Sequence, residues 1–223
     1  MFDEMYSDDA QIRKHYLQVN SWLRTMSSTV ISQKNFEAES HFKRIGITFS
    51  VKDDDMTERI IPFDLIPRIL TNYEWAKIEK GVLQRAKALN AFLHDIYNSG
   101  EIYKAGIVPK EIVYKKSSYD QSMINFSPPR KIDSPIIGVD LVRTGKDEFY
   151  VLEDNCRTPS GVSYMLENRE IMMKMFPDLF HTNRVLRVDD YPTRLLQTLM
   201  SLAPKKCDSS IPTVVLLTPG HLN

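Results

Sequence analysis

Phe149-Tyr-Val-Leu-Glu-Asp-Asn-Cys-Arg-Thr-Pro-Ser-Gly161 reads as an apolar strand that ends in Glu-x-Asn-x-Arg and passes at once into a turn of small residues. Residues two apart in an extended segment project from one face, so Glu153 and Asn155 present two hard oxygen ligands together, the kind Mg²⁺ takes. Arg157 continues the series with a planar fork suited to phosphate oxygens. The same alternation points Cys156 the other way, as a packing residue rather than a nucleophile.

A second apolar run, Gly138-Val-Asp-Leu-Val-Arg143, precedes the first across Thr144-Gly-Lys-Asp-Glu148, which has the chemistry of a hairpin turn. With the turn centred on Lys146 and Asp147, Asp140 falls opposite Glu153 and Gly138 opposite Asn155. Two carboxylates facing each other across a ladder repel, by about 1 to 4 kcal/mol for an effective dielectric between about 80 and about 20. A bound cation removes that conflict, and Gly138 leaves space above the sheet for a phosphate that bridges to it. Read as a hairpin alone, the same Asp and Glu equally suit a solvated outer face. A one-residue slip of register would part them.

Composition frames this reading. The chain has 223 residues, 42% of them hydrophobic, enough for one large domain or two small ones with a substantial core. Basic and acidic residues number 29 each, so no overall field attracts nucleic acid or an anionic membrane, and phosphate binding has to be local. No long apolar stretch and no basic-then-apolar leader is present, which predicts a cytoplasmic protein. The two cysteines, Cys156 and Cys207, form neither a disulfide framework nor a zinc pattern.

Along the chain, residues 8–28 fit an amphipathic helix, and 41–51 and 59–63 fit two strands joined by a turn containing Asp53, Asp54 and Asp55. Asn72 is placed to cap a long helix over 73–99 that Gly100 ends, with Trp75, Ile78, Val82, Leu89, Phe92, Leu93 and Ile96 as its apolar stripe. Gln84, Arg85, Asn90 and His94 are functional candidates on that helix, where each is more often a surface or helix-packing residue. Residues 111–114 suit a short strand, and Ser127-Pro-Pro-Arg130 an extended linker. Ser160-Gly-Val-Ser163 opens a helix running to about Met175, whose free amides suit phosphate, with Met165, Met172, Met173, Met175 and Phe176 as core. Residues 191–202 suit a further helix. Ile211-Pro-Thr-Val-Val-Leu-Leu-Thr-Pro-Gly220 reads as a buried strand of a parallel sheet, which needs a crossover and a neighbour. The expectation is an N-terminal portion of a longer protein.

With these segments in view, the chain resembles the circularly permuted ATP-grasp proteins, the group labelled glutathionylspermidine synthase-like. The likeness lies in the long-helix segment 78–97, in Gly106-Ile-Val-Pro109, and most specifically in Gly138-Val-Asp-Leu-Val-Arg143 with 150–169. It implies an α+β fold, an ATP-grasp-like antiparallel sheet with packed helices, ending at the first strand of an α/β domain. The divisions are an N-terminal region over 1–130, a metal-binding hairpin with following helices over 131–205, and that first strand over 206–223. The resemblance implies ATP and Mg²⁺ as cofactors, with Asp140, Glu153 and Asn155 as metal ligands. It makes Arg157 the catalytic contact to phosphate or acyl-phosphate. Ser160 and Gly161, where the helix opens, and Arg169, which lies more than a turn in and either reaches the pocket or pairs with Glu170's side of the helix surface, are the further phosphate-binding candidates. The chemistry implied is ligation of a carboxylate to an amine through an acyl-phosphate, with small-molecule or peptide substrates and no nucleic-acid or membrane partner. The lysines that grip ATP and the adenine segment would lie beyond residue 223 in the same polypeptide, so this chain alone is expected to be inactive. The contrary reading is a non-catalytic binding or scaffold module built on the same fold.

Overall fold

The computed structural model describes residues 2–50, 58–60 and 62–217. In chain order it contains α1 (Leu17–Thr25), α2 (Ser28–Arg44), β1 (Thr48–Ser50), β2 (Glu58–Ile60), α3 (Asn72–Tyr97), α4 (Glu101–Lys104) and α5 (Lys110–Tyr114). Then follow β3 (Gly138–Gly145), β4 (Glu148–Asn155), α6 (Val162–Met175), α7 (Pro177–Thr182) and α8 (Tyr191–Met200). The strands form two separate pairs, β1 with β2 and β3 with β4. The β1–β2 pair is antiparallel with Thr48 opposite Ile60 and Ser50 opposite Glu58. The result is a helix-rich α+β chain with small antiparallel sheets, compatible with the expected fold class.

The described residues divide into two units, one drawn from 1–75, 143–150 and 160–188, the other from 76–142, 151–159 and 189–223. In the first unit, Tyr16, Val19, Leu65, Met172, Phe176 and Leu179 form a core, with the Trp22 ring edge-on to Phe176 at 4.7 Å. Ala38 and Phe42 of α2 bury together with Ile171 of α6 beside it. Tyr16, only 1% exposed, accepts a hydrogen bond at its hydroxyl from the Ile69 N–H at 2.8 Å and donates to the Pro67 carbonyl at 3.2 Å. Tyr16→Phe keeps the ring and strands both backbone groups, so we expect a loss of about 1–3 kcal/mol in denaturant unfolding at pH 7. A loss near zero would mean that water reaches both groups.

The same unit buries an ionic network. The Arg143 side chain, 6% exposed, donates to Glu74 Oε1 at 2.6 Å and Glu4 Oε2 at 2.9 Å, and Arg68 lies 3.4 Å from Glu4. Its guanidinium stacks between the rings of Phe2 at 4.3 Å and Phe149 at 5.2 Å. Glu74 also completes a capping box. Its Oε2 accepts from the N–H and hydroxyl of Thr71, each at 2.8 Å, and its own N–H donates back to Thr71 Oγ1 at 3.3 Å.

In the second unit α3 ends in a left-handed Gly100 at φ 63, with the Gly100 N–H donating to the Asp95 carbonyl at 2.8 Å. The Asp95 carboxylate then caps α4 through the N–H groups of Glu101 and Ile102, at 2.8 and 2.9 Å. Tyr97, Tyr119 and Tyr114 stack in series, with centroids 4.8 and 4.6 Å apart, and fix the segment after α5.

Several sequence expectations are corrected. The first helix is α1 preceded by a 3-10 turn over Lys14–Tyr16, and Ser27 caps a second helix, α2, through a Val30 N–H bond at 3.3 Å. That helix runs through residues 41–44, where a strand was expected, because Ala38 and Phe42, one turn apart, bury one face of it. Thr71, not Asn72, caps α3, since only Thr71 has Glu three residues on. Residues 111–114 lie in α5, which starts directly after Pro109, and Pro129–Lys131 form a turn with Arg130 at φ 59 rather than an extended linker. Met165 and Met173 are exposed, unlike Met172 and Phe176. The expected buried strand after Ile211 is absent through Leu217. Val215, Leu216 and Leu217 are 73%, 82% and 92% exposed, and their backbone has no partner strand to pair with among the described residues. The aspartates at 53–55 and residues 218–223 lie outside the described residues.

Candidate functional site

β3 and β4 are of equal length and joined by Lys146–Asp147, with Asp147 at φ 60, so the chain reverses in two residues and the strands run antiparallel. Gly138 faces Asn155. A Cβ at position 138 would lie 3.6 Å from Asn155 Cβ and 3.0 Å from Pro159 Cβ, so only glycine leaves the sheet open there without pressing on the proline. Counting inward from that pair puts Asp140 across from Glu153. The Asn155 amide donates to Glu153 Oε1 at 3.1 Å, so these side chains share one face, as the alternation predicts.

Asp140, Glu153 and Arg157 are exposed and Asn155 half-buried. Among the described residues neither Asp140 nor Arg157 has a hydrogen-bond or ion-pair partner. No group of three or more His, Cys, Asp or Glu side chains close enough to hold a metal occurs among the described residues. The hairpin instead offers two carboxylates and an amide oxygen. That donor set suits Mg²⁺, which is held by one or two carboxylates while substrate phosphates and waters complete its octahedron.

The opposite face of β4 is fixed by the helix α3. Asp154, between Glu153 and Asn155 in sequence, accepts three bonds from Arg85: Nε at 2.7 and 2.9 Å and Nη2 at 2.6 Å. The Arg85 hydrogen bonds hold the Asp154 carboxyl below the usual aspartate range. Asn90 accepts from the N–H groups of Asp133 and Ser134, both at 2.9 Å, and donates to the Ser134 carbonyl at 3.1 Å. The Ser134 hydroxyl donates to the Cys156 carbonyl at 2.6 Å. His94 lies 3.4 Å from Asp133, a charge pair only when the ring is protonated. Of the polar residues of α3, Arg85 thus anchors β4 directly and Asn90 holds the chain after it through Ser134, while His94 Nδ1 and Asp133 Oδ2 have no hydrogen-bond partner among the described residues. Burial pushes the Cys156 thiol up, away from thiolate chemistry.

Asp154→Ala removes the clamp without touching the ligand face. We expect faster amide hydrogen exchange at Glu153 and Asn155 in the variant, with exchange in α6 unchanged. Equal protection in both proteins would show that backbone pairing alone holds the strand.

Ser160, Gly161 and Arg169 belong to the first unit. Gly161 caps α6 at φ 90, a conformation that favours glycine, and its carbonyl accepts from the Met165 N–H at 3.4 Å. Ser160 is exposed. Arg169 donates to the Leu186 carbonyl at 2.9 Å and lies 5.9 Å from the Phe180 ring, and burial pulls its guanidinium down from the usual arginine value. The geometry therefore gathers Gly138, Asp140, Glu153 and Asn155 on one hairpin face, while Arg169 is already engaged. The sequence did not assign strand-anchoring roles to Arg85, Asn90 and Ser134. The signal for one of them was present, since an aspartate between two ligands on an alternating strand points to the opposite face and needs a partner there.

A match to the family described as circularly permuted ATP-grasp type 2 covers residues 67–223. The chain belongs to that family. An uncharacterized protein of Synechocystis sp. is 44% identical over 223 residues, covering 100% of this chain and 46% of the relative. An uncharacterized protein of Mycobacterium tuberculosis H37Rv is 39% identical over 223 residues, 100% of this chain and 39% of the relative. A protein of Frankia casuarinae provisionally named glutamate–cysteine ligase 2-2 is 33% identical over 219 residues, 98% of this chain and 25% of the relative. The chain thus spans less than half the length of these relatives. No described helix of this ATP-grasp chain is long and apolar enough to cross a membrane.

Proposed function

We propose that this chain supplies the metal-holding part of an ATP-dependent ligase that joins a carboxylate to an amine. Asp140, Glu153 and Asn155 would hold Mg²⁺, which when bound neutralises phosphate charge and orients the nucleotide. Arg157 is the catalytic contact in this reading. Its exposed guanidinium has no partner among the described residues and carries the two-pronged donor geometry that fits the transferring phosphoryl group. Ser160, Gly161 and Arg169 are proposed as further phosphate contacts, and binding there would require Arg169 to exchange its bond to Leu186. The carboxylate would be activated as an acyl-phosphate and the amine would displace the phosphate. The named activity of the Frankia relative, a ligase of that general kind, supports the reaction class.

The observation that carries the proposal is the hairpin face itself: Glu153 and Asn155 in contact, Asp140 unpartnered across from Glu153, and Gly138 keeping the sheet open. The test is thermal unfolding of the whole protein with Mg²⁺ and a non-hydrolysable ATP analogue. A ligand that binds only the native state at a hundred times its dissociation constant stabilises it by about 2.7 kcal/mol, enough to move the midpoint visibly. The expected shift requires both metal and nucleotide and is lost in Asp140→Asn. A well-folded protein with no shift would turn the assignment toward a scaffold role.

A further inference from the structure

The first unit contains a cleft of about 560 Å³ lined by four basic side chains (Arg13, Lys14, Arg143 and Lys146) and two acidic ones (Glu74 and Asp147). That volume lies in the range of small-molecule sites. Arg143 and Glu74 neutralise each other within the buried network and Asp147 offsets one of the three remaining cations, so the lining keeps a net positive charge. Lys14 and Lys146 are both exposed and, among the described residues, neither ammonium has an ion-pair or hydrogen-bond partner. Arg13 has no carboxylate within ion-pair distance among the described residues. Its guanidinium donates to the Asp3 carbonyl at 3.3 Å and lies 4.5 Å from the Phe2 ring.

His15 adds an unmet polar atom. Its Nε2 is buried without a hydrogen-bond partner among the described residues, and a buried unsatisfied nitrogen calls for a ligand or water. Burial pulls the imidazole below its usual pKa, so the ring is neutral near pH 7 and offers a donor without adding charge. Like charges converging on one concavity raise the local potential and draw in anions, and hydrogen bonds from cations to an oxyanion are the strong kind.

We infer that this cleft binds the oxyanion group of a small acid, a carboxylate or phosphate, with Lys14, Lys146 and Arg13 supplying charge and His15 Nε2 a neutral donor. The inference does not depend on the metal assignment at the hairpin.

The test is calorimetric titration of the protein at low ionic strength with succinate, with inorganic phosphate, and with succinamide as the uncharged control. We expect saturable binding of at least one anion, none of succinamide, and a dissociation constant at least tenfold weaker in the Lys14→Gln/Lys146→Gln double variant. Both lysines are exposed, so the variant keeps its fold, and the wild-type titration is decisive by itself. Binding of succinate alone assigns a carboxylate ligand and binding of phosphate alone a phosphate. His15→Ala should also weaken binding. No saturable binding of either anion to the folded protein, or equal affinity in the double variant, overturns the inference.

Discussion

Glu153→Gln is expected to lower ATP turnover by the whole protein about 10²–10³-fold, with the unfolding midpoint in the absence of ligands equal to or slightly above that of the wild type. The magnitude is that of deleting one preorganised electrostatic contact to developing charge. The substitution is nearly isosteric and its site is exposed, so folding has little reason to change. Its Oε1 keeps the acceptor that Asn155 uses, leaving that 3.1 Å contact intact. What disappears is the negative charge opposite Asp140. If the two carboxylates face each other without a cation, removing one relieves repulsion and the ligand-free protein gains a little stability. If a metal sits between them, the substitution gains stability only when metal is withheld. Turnover measured with excess Mg²⁺, alongside unfolding with and without a chelator, separates these outcomes. Unchanged turnover would remove Glu153 from the metal set.

Arg143→Ala is expected to have the largest effect on stability, about 3–5 kcal/mol at pH 7, because it leaves the buried Glu74 carboxylate without its counter-charge and the half-buried Glu4 with only Arg68. The pH dependence gives the mechanism. Burial by itself would raise the Glu74 pKa, but the bonds from the Thr71 N–H and hydroxyl and from Arg143 outweigh it and hold Glu74 below the ordinary glutamate value of 4.5. A carboxylate depressed in the folded state binds fewer protons there than in the unfolded chain. Its contribution is full above about pH 4.5 and fades as pH falls through the folded value. Without Arg143 that depression shrinks, so the stability difference between wild type and variant narrows on acidification. Urea unfolding at about pH 7 and about pH 4 checks this, and a gap that is constant with pH would assign the loss to packing against Phe2 and Phe149 instead.

The parts of the fold legible in the sequence were those governed by local rules. The alternation in β3 and β4, the long apolar stripe of α3 with Gly100 at its end, and the helix after Gly161 all follow from residues a few positions apart. The hairpin face is legible for the same reason: the alternation, the two-residue turn and Gly138 are local. What escaped depends on distant partners. α2 looked strand-like near residue 42 because β-branched and aromatic residues cluster after it, and only burial of Ala38 and Phe42 against Ile171 selects the helix. The Arg85 clamp joins residues 69 apart, and the Asn90 bonds to Asp133 and Ser134 join residues 43 and 44 apart, so spacing along the chain does not announce them. The segment after Ile211 had the composition of a buried strand, but composition cannot supply a neighbour.

The metal assignment is most directly tested by electron paramagnetic resonance of Mn²⁺ titrated into the protein with a non-hydrolysable ATP analogue. Mn²⁺ replaces Mg²⁺ at oxygen sites and its free signal falls on binding. The expected result is a loss of free Mn²⁺ signal in the wild type beyond that caused by the same nucleotide without protein, with the excess abolished in Asp140→Asn and Glu153→Gln and retained in Lys14→Gln/Lys146→Gln. Equal Mn²⁺ binding by the wild type and both hairpin variants would contradict the assignment of Asp140, Glu153 and Asn155 as the metal-holding set.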